Sequence, residues 1–292
     1  MSAEFGLLNA DRIQHSAIRI QQLNFLLRVS AVNPSSGHPA GNGDAVKDEK
    51  QGTKPLNYFS PPSHPRLRQS LLTITDDVAY LLPMALFLAF TWAGGQWPGF
   101  YAASYVIKTL LTAGLLILFR RHYTKMSWNY WPLGIVLGVV GVIQWVGMEK
   151  AMLHLWPNYP RASGEVFDPT TKFASSTAFA MFVGIRWAGA SLVVPFMEEL
   201  FWRDFVWRSV AAPTDFKLAR IGEWDRGLPL IVVTLLFCSV HLNQWMTALV
   251  WGLMTGGLLL YTRSLGACIL MHGVTNFLLG GYVLWLHDWK FW

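Results

Sequence analysis

Seven apolar stretches occupy most of the chain after residue 77 and leave few folds open to it. An α-helix rises 1.5 Å per residue, so stretches of this kind approach the length that crosses about 30 Å of hydrocarbon. Inside lipid every backbone N–H and C=O must be paired within the protein, which favours helices. We therefore expect an all-α fold, a polytopic transmembrane helical bundle. The stretches are residues 78–92, 101–119, 131–146, 178–198 with its continuation, 228–241, 245–261 and 265–286.

The composition agrees with a membrane protein and divides the chain into two parts. Hydrophobic residues make up 53% of the chain and charged residues 14%, whereas soluble domains carry about 25% charged residues. Residues 1–70 are instead rich in proline, glycine, serine and charge, and we expect a largely disordered polar segment. Residues 71–292 are the predicted integral membrane domain. Arg28 interrupts the apolar run near the N-terminus, so no cleavable signal peptide is expected.

The basic residues predict the orientation of the chain, because cytoplasmic loops carry an excess of lysine and arginine. With a cytoplasmic N-terminus, 17 of the 23 basic residues lie on the cytoplasmic side. Lys108 and Arg186 fall inside spans, about 10–15 Å from the outer end, close enough to extend their charged groups to that interface. The net charge of +6 is therefore attributed to topology and anionic lipid rather than to nucleic-acid binding.

Two adjacent glutamates, Glu198 and Glu199, end the fourth apolar stretch in the sequence VVPFMEELFWRDF. A charge at the centre of a membrane helix costs roughly 2.5–3.5 kcal/mol on translocon scales, so acids kept there usually serve a site. Arg203 follows Glu199 at i+4, a spacing that suits a buried ion pair, while Glu198 points about 100° away and is left free. The alternative is that both acids are structural and lie near the cytoplasmic helix end.

Two later stretches carry histidines at helical spacing. Phe237 and His241 are i, i+4 in LLFCSVHLNQW, and His272 and Asn276 have the same spacing in LMHGVTNFLLGG. Each pair alone also fits a structural role, as a core or interfacial histidine or as a helix–helix hydrogen bond. Counted from the cytoplasmic helix ends, Glu198, His241 and His272 are about 15, 20 and 10 Å deep, which predicts one shared cavity in the inner half of the membrane.

Together, the motifs EExxxR, FxxxH and HxxxN resemble the CAAX protease and bacteriocin-processing family, also called CPBP or Abi, of glutamic-type intramembrane proteases. The resemblance covers about residues 175–285. CAAX-processing members of the family usually have eight spans, so seven or eight are expected here. A finer resemblance, prompted by FDPT at residues 167–170, is to the bacterial CAAX prenyl protease-related branch associated with exosortase and PEP-CTERM systems. The residues that match the motifs are Glu198, Glu199, Arg203, Phe237, His241, His272 and Asn276.

The resemblance implies endopeptidase chemistry by a glutamate-activated water, without an obligatory metal or other cofactor, on helices at about residues 175–286. Glu198 is the implied general base, and His241 shares or orients the water. His272 and Asn276 are the implied donors to the oxyanion of the tetrahedral intermediate. The supporting residues are Glu199, Arg203 and Phe237.

The resemblance also implies a location and partners. We expect an integral protein of a bacterial cytoplasmic membrane that meets a membrane-associated peptide or protein substrate and the lipid bilayer, and no nucleic acid.

Cys238 and Cys268 fall in predicted spans and are interpreted as inert small hydrophobic residues.

A zinc-dependent mechanism and two non-enzymatic functions remain compatible with the residues. Glu198, Glu199, His241 and His272 are ligand types that zinc favours, although the motif HExxH is absent. Intramembrane acids and histidines also form ion paths in transporters, but the sequence shows no second half with matching interrupted helices. A membrane scaffold or immunity protein could keep the fold, lose catalysis and act by binding. The intact motifs EExxxR, FxxxH and HxxxN argue against such a loss.

Overall fold

The computed structural model describes residues 75–162 and 166–292, and these ranges are helical with short connections. The helices are α1 Asp76–Gln96, α2 Tyr101–Leu118, α3 Trp131–Leu155, α4 Pro169–Lys172, α5 Ser176–Ala211, α6 Leu228–Ser239, α7 Trp245–Thr262 and α8 Leu265–Leu286. Six of them, all except α4 and α6, are long and apolar enough to cross a membrane. The expected all-α transmembrane bundle is confirmed. The expectation for residues 1–70 lies outside the described residues.

Helix α6 is shorter than the apolar stretch that predicted it. Its 12 residues rise about 18 Å, less than the thickness of the hydrocarbon layer. It begins after Gly227, whose φ of 79° is a conformation that glycine adopts without strain, and Pro229 occupies its first turn. It ends at Ser239, where a tight turn from His241 N to Cys238 O leads towards α7. His241 therefore lies on a turn between two helices.

Contacts with α8 establish the directions of the neighbouring helices. Gly134 and Gly141 of α3 face Ala267 and Thr275 of α8 in the same order, so α3 and α8 run parallel. Helices α5 and α7 run in the opposite direction. Their contacts pair Trp187 with Phe277 and Glu199 with His272 for α5, and Trp251 with His272 and Thr255 with Cys268 for α7. Helix α8 thus defines two ends of the bundle, the Leu265 end and the Leu286 end.

A row of glycines lets α3 pack directly on α8. Gly134, Gly138 and Gly141 are buried on one face of α3. A Cβ atom at Gly134 would lie 2.5 Å from Ala267 O, and one at Gly138 would lie 2.6 Å from Val274 Cβ. No side chain fits at these positions, so the two helices are in backbone contact, as at other small-residue faces in membranes.

A wider π-helical segment, Gly189–Val193, interrupts α5 just before the glutamates. The N–H of Val194 bonds to the carbonyl five residues earlier, and Pro195 has no N–H to donate. The Ala190 carbonyl therefore lacks its usual helical donor. Asn276 Nδ2 of α8 donates to this oxygen at 2.8 Å. Asn276 thus joins α8 to the segment of α5 that precedes the glutamates.

Gly138→Ala is expected to destabilise the bundle. The new Cβ would lie 2.6 Å from Val274 Cβ and 2.9 Å from Met271 O, so α3 and α8 would have to separate. Overpacking of this kind typically costs about 1–3 kcal/mol. Gly147→Ala is the matched control, because it adds the same methyl group to the same helix with nothing within 4 Å. Thermal unfolding in detergent compares the two variants, and equal midpoints would contradict the close-packed face.

Candidate active site

The predicted site residues meet at one cavity of about 290 Å³ inside the bundle. Glu198 of α5, His241 of the turn after α6, and His272 and Asn276 of α8 all line it. Phe237 lines the same cavity. Segments that are far apart in sequence thus present all four catalytic candidates to one space.

Glu198 is a buried carboxylate with no ion-pair partner among the described residues. Glu198 is 7% exposed, and its Oε2 atom has no hydrogen-bond partner among the described residues. Burying an unpaired polar oxygen is unfavourable, so stability alone does not account for a glutamate here. The side chain faces the cavity, where a water or a substrate group can supply the missing contact.

Glu199 is fully buried and is contacted from two helices. Arg203 Nε lies 3.3 Å from Glu199 Oε2, at the i, i+4 spacing read from the sequence. His272 Nδ1 lies 2.8 Å from the other oxygen, Glu199 Oε1. This second contact crosses from α5 to α8. The neighbouring glutamates therefore differ in environment, since Glu199 is balanced by a cation and Glu198 is not.

The contact to Glu199 also determines which nitrogen of His272 carries a proton. An ionised carboxylate only accepts hydrogen bonds, so His272 Nδ1 is the donor. In a neutral ring, Nε2 is then an acceptor, and it becomes a donor only when the ring is an imidazolium. His272 can thus present an N–H to the cavity as an imidazolium.

His241, at the cavity wall, is held by a backbone carbonyl rather than by a carboxylate. Its Nδ1 lies 2.9 Å from the Phe237 carbonyl oxygen, which can only accept, so Nδ1 donates. In the neutral ring Nε2 is left as an acceptor. The ring packs on Phe237 with centroids 4.3 Å apart and meets the edge of Trp145 at 5.8 Å. These contacts hold the imidazole in one orientation.

An aromatic group surrounds the buried Arg203. The Arg203 guanidinium lies 5.0 Å from the Phe237 ring and 5.6 Å from the Trp251 ring, which stack on each other at 5.3 Å. Trp251 also meets His272 edge-on, with centroids 4.8 Å apart. Cation–π contacts of this kind stabilise a desolvated guanidinium beyond its ion pair. They also pack the supporting residues tightly behind the cavity.

Residues 174–278, roughly a third of the chain, match the family model for type II CAAX prenyl endopeptidase Rce1-like proteins. The predicted CAAX protease resemblance is confirmed. All the motif residues lie in this Rce1-like segment, whereas α1, α2 and α3 lie outside it. No curated protein and no solved structure matches the chain. The exosortase-associated branch stays a prediction.

Three cavity residues that do not belong to the motifs were not predicted from the sequence. Trp145, Gln244 and Trp251 line the cavity, and Trp145 Nε1 donates to Gln244 Oε1 at 2.9 Å. Gln244 follows His241 closely, and its polar side chain in an apolar region was an available signal. Tryptophans are frequent throughout this sequence, so nothing local singled out the two that contact the histidines.

A loop segment holds the turn that carries His241. Trp245 Nε1 donates to Pro160 O at 2.6 Å, and Ala162 N donates to Leu242 O at 3.1 Å. The buried Glu149 of α3 fixes this segment, because Tyr159 Oη donates to both of its oxygens at 2.7 and 2.8 Å. Burial and this hydrogen bond raise the pKa of the Tyr159 phenol. We call residues 159–162 the strap.

The cavity extends in a direction that the sequence did not predict. Besides the motif residues, the cavity is lined by Tyr105, Arg186, Phe291 and Trp292, which lie towards the Leu286 end. With a cytoplasmic N-terminus, that is the outer end, so the cavity extends beyond the inner half; the inner-half depth of Glu198, His241 and His272 stays a prediction. Counting helical rise gave similar depths for the histidines and Glu198, but it contains no information on the direction in which a cavity extends.

The prediction that Lys108 and Arg186 extend their charged groups to the membrane interface is wrong. Their residues are only 6% and 8% exposed, and both side chains pack against aromatic rings inside the bundle. Depth along a helix does not tell whether a side chain faces lipid or protein. Both cations are therefore internal groups at the Leu286 end.

The described residues contain no ready metal cluster. Over 75–162 and 166–292, no group of three or more histidine, cysteine, aspartate or glutamate side chains is placed to hold a metal ion. Two members of the zinc set considered from the sequence, Glu199 and His272, are instead hydrogen-bonded to each other.

Arg203→Met is expected to destabilise the protein strongly. It leaves the Glu199 carboxylate buried without its cation, and breaking a buried ion pair from one side typically costs about 3–5 kcal/mol. The double variant Glu199→Gln/Arg203→Met removes both charges and should recover much of the loss. Arg220→Gln, at an exposed loop position, is the control. Thermal unfolding in detergent tests this, and a single variant as stable as the double one would refute the ion-pair argument.

Proposed function

We propose that the protein is an intramembrane endopeptidase that hydrolyses a peptide bond of a membrane-associated protein or peptide with a glutamate-activated water. The observation that carries the proposal is the contrast between Glu199, which is paired, and Glu198, which faces the cavity unpaired beside His241. The Rce1-like match over residues 174–278 supports the same activity.

Glu198 and His241 are suited to divide the activation of one water. A water in the cavity donates one proton to the Glu198 carboxylate and a hydrogen bond to His241 Nε2, which is an acceptor in the neutral ring. The water oxygen then bonds to the carbonyl carbon of the substrate. Glu198 returns its proton to the amide nitrogen as the C–N bond breaks, which releases an amine and a carboxylic acid.

His272 and Asn276 are suited to stabilise the intermediate. As an imidazolium held by Glu199, His272 donates from Nε2 to the oxyanion. Asn276 Nδ2 has two hydrogens, and its bond to Ala190 O uses one of them. The second hydrogen is available for the same oxyanion. Preorganised donors of this kind are typically worth about 10²–10³ in kcat each.

The surroundings of the site define where such an enzyme works. The six apolar helices support an integral membrane location. We further propose a bacterial cytoplasmic membrane and a cytoplasmic N-terminus, because the basic residues concentrate on that side in the sequence. Lys108, Arg186 and the strap are then at the outer half.

Glu198→Gln is expected to abolish proteolysis while the protein remains folded, because glutamine keeps the shape of the side chain but accepts no proton. Loss of a general base typically lowers the rate by about 10²–10⁴. Comparative membrane proteomics of cells with the parent protein or the variant should reveal a precursor that accumulates only in the variant.

Glu223→Gln is the matched control for that experiment, since Glu223 lies in a loop outside the cavity. Its cells should show the parent pattern of peptide termini. Full proteolysis by Glu198→Gln, or identical termini in all three strains, would contradict the proposed function.

Stringent chelation is expected to leave the activity unchanged, because the proposed mechanism uses an acid, two histidines and an amide, without a metal. The measurement is cleavage of an identified substrate by protein treated with 1,10-phenanthroline and then dialysed. Loss of activity that added zinc restores would show that the metal-free mechanism is wrong.

A further inference from the structure

Arg186 is a buried cation at the other end of the cavity that contains Glu198. It lines the cavity and is 8% exposed. Its Nη1 donates to the hydroxyl of Tyr101 at 2.6 Å, and its guanidinium lies 4.3 Å from the Tyr105 ring and 5.0 Å from the Trp292 ring. These partners are neutral, and over the described ranges no carboxylate lies within ion-pair distance of Arg186.

Lys108 is a second buried cation in the same group. Its Nζ donates to Thr91 Oγ1 at 2.8 Å and lies 4.2 Å from the Phe87 ring. It also lies 4.3 Å from the Tyr105 ring, so Lys108 and Arg186 share one aromatic neighbour. No described acid forms an ion pair with Lys108 either. Two basic side chains therefore pack against Tyr105.

The other buried cations of the described chain are paired. Arg203 has Glu199 at 3.3 Å, and Arg208 has Asp204 at 2.6 Å, each at i, i+4. Desolvated charges normally require such compensation, and intramembrane cations kept without it usually serve a ligand. Arg186 stands out because it is uncompensated and also borders the cavity.

We infer that Arg186, with Lys108 nearby, binds a carboxylate of the substrate peptide. A guanidinium matches a carboxylate geometrically and binds it with charge-assisted hydrogen bonds. Apart from Nη1, the nitrogens of Arg186 have no hydrogen-bond partner among the described residues, so donors remain for this ligand. The inference rests on the proposed function, and it assigns the same cavity a second fixed point for the peptide.

The distance between the two fixed points limits the peptide. Arg186 precedes Glu198 by 12 residues on α5, about 18 Å at 1.5 Å per residue. The reach of the two side chains can shorten this gap by several ångströms, and an extended peptide covers about 3.3–3.6 Å per residue. The bound carboxylate therefore lies about three to five residues from the scissile bond.

The test measures binding to the full chain in detergent with Glu198→Gln, which prevents turnover. The probes are an acetylated apolar hexapeptide with a free C-terminal carboxylate, its C-terminal amide, and an amide with glutamate as the last residue. Calorimetry should show at least about tenfold tighter binding of a carboxylate probe than of the plain amide. Whether the free acid or the glutamate probe gains affinity tells which peptide carboxylate is recognised.

Variants then assign the effect to Arg186. Arg186→Gln should reduce the preference to about one, whereas Arg186→Lys should keep part of it, because the charge remains. Lys150→Gln is the matched control: Lys150 is an exposed cation near the same end, paired with Asp288 at 3.7 Å and outside the cavity. It should keep the full preference. Thermal unfolding of each variant confirms that it is folded.

Several outcomes would overturn the inference. One is equal binding of all three probes, and another is a preference that persists in Arg186→Gln or disappears in Lys150→Gln. Glu165 lies outside the described residues, so Glu165→Gln is tested as well. A preference that appears only after this substitution would show that Arg186 already has an acid partner. Binding of vesicles of anionic lipid, together with no binding of any peptide probe, would assign the cations to lipid instead.

The design separates this inference from the proposed function. Binding to the Glu198→Gln protein does not require catalysis, so a carboxylate preference can be found even if no peptide terminus changes in cells. Conversely, proteolysis that depends on Glu198 but treats the acid and amide probes alike would leave the protease proposal intact and remove the role of Arg186.

Discussion

A carboxylate in an apolar bundle is costly without a countercharge, and Glu199 obtains its compensation from two helices. Arg203 lies one turn further along α5, and His272 reaches across from α8. The contacts that neutralise Glu199 therefore also align α5 with α8. Because Glu198 is the next residue along the backbone, its position at the cavity follows from the same contacts. The position of the unpaired Glu198 therefore depends on the contacts of the paired Glu199.

Contacts within one segment of the chain were accessible from the sequence. The spacing i, i+4 placed Glu199 beside Arg203 and Phe237 beside His241, and both contacts are present. The second pair is near even though His241 has left the helix, because its Nδ1 bonds back to the Phe237 carbonyl. The histidine contact to Glu199 was not accessible, since it depends on how two helices pack.

Other features escaped prediction because hydropathy reports composition and not direction. An apolar stretch that ends in an internal turn, as α6 does at Ser239, looks like a complete span. Likewise, the depth of Arg186 along α5 was read as access to the interface, although its side chain turns into the bundle. Asn276 belongs to a motif in the sequence. Its hydrogen bond to the Ala190 carbonyl could not be predicted, because it depends on the π-helical segment before Pro195.

The glycine face of α3 has a consequence for the smallest unit that can carry the site. Helix α3 precedes the segment that matches the Rce1-like family, yet its backbone lies directly against α8, and Gly138 O accepts a hydrogen bond from Thr275. Glu149 of the same helix anchors the strap that secures the turn with His241. The matched segment is thus a recognisable sequence unit whose shape is completed by chain outside it. Its boundaries in sequence are not those of an autonomous structural module.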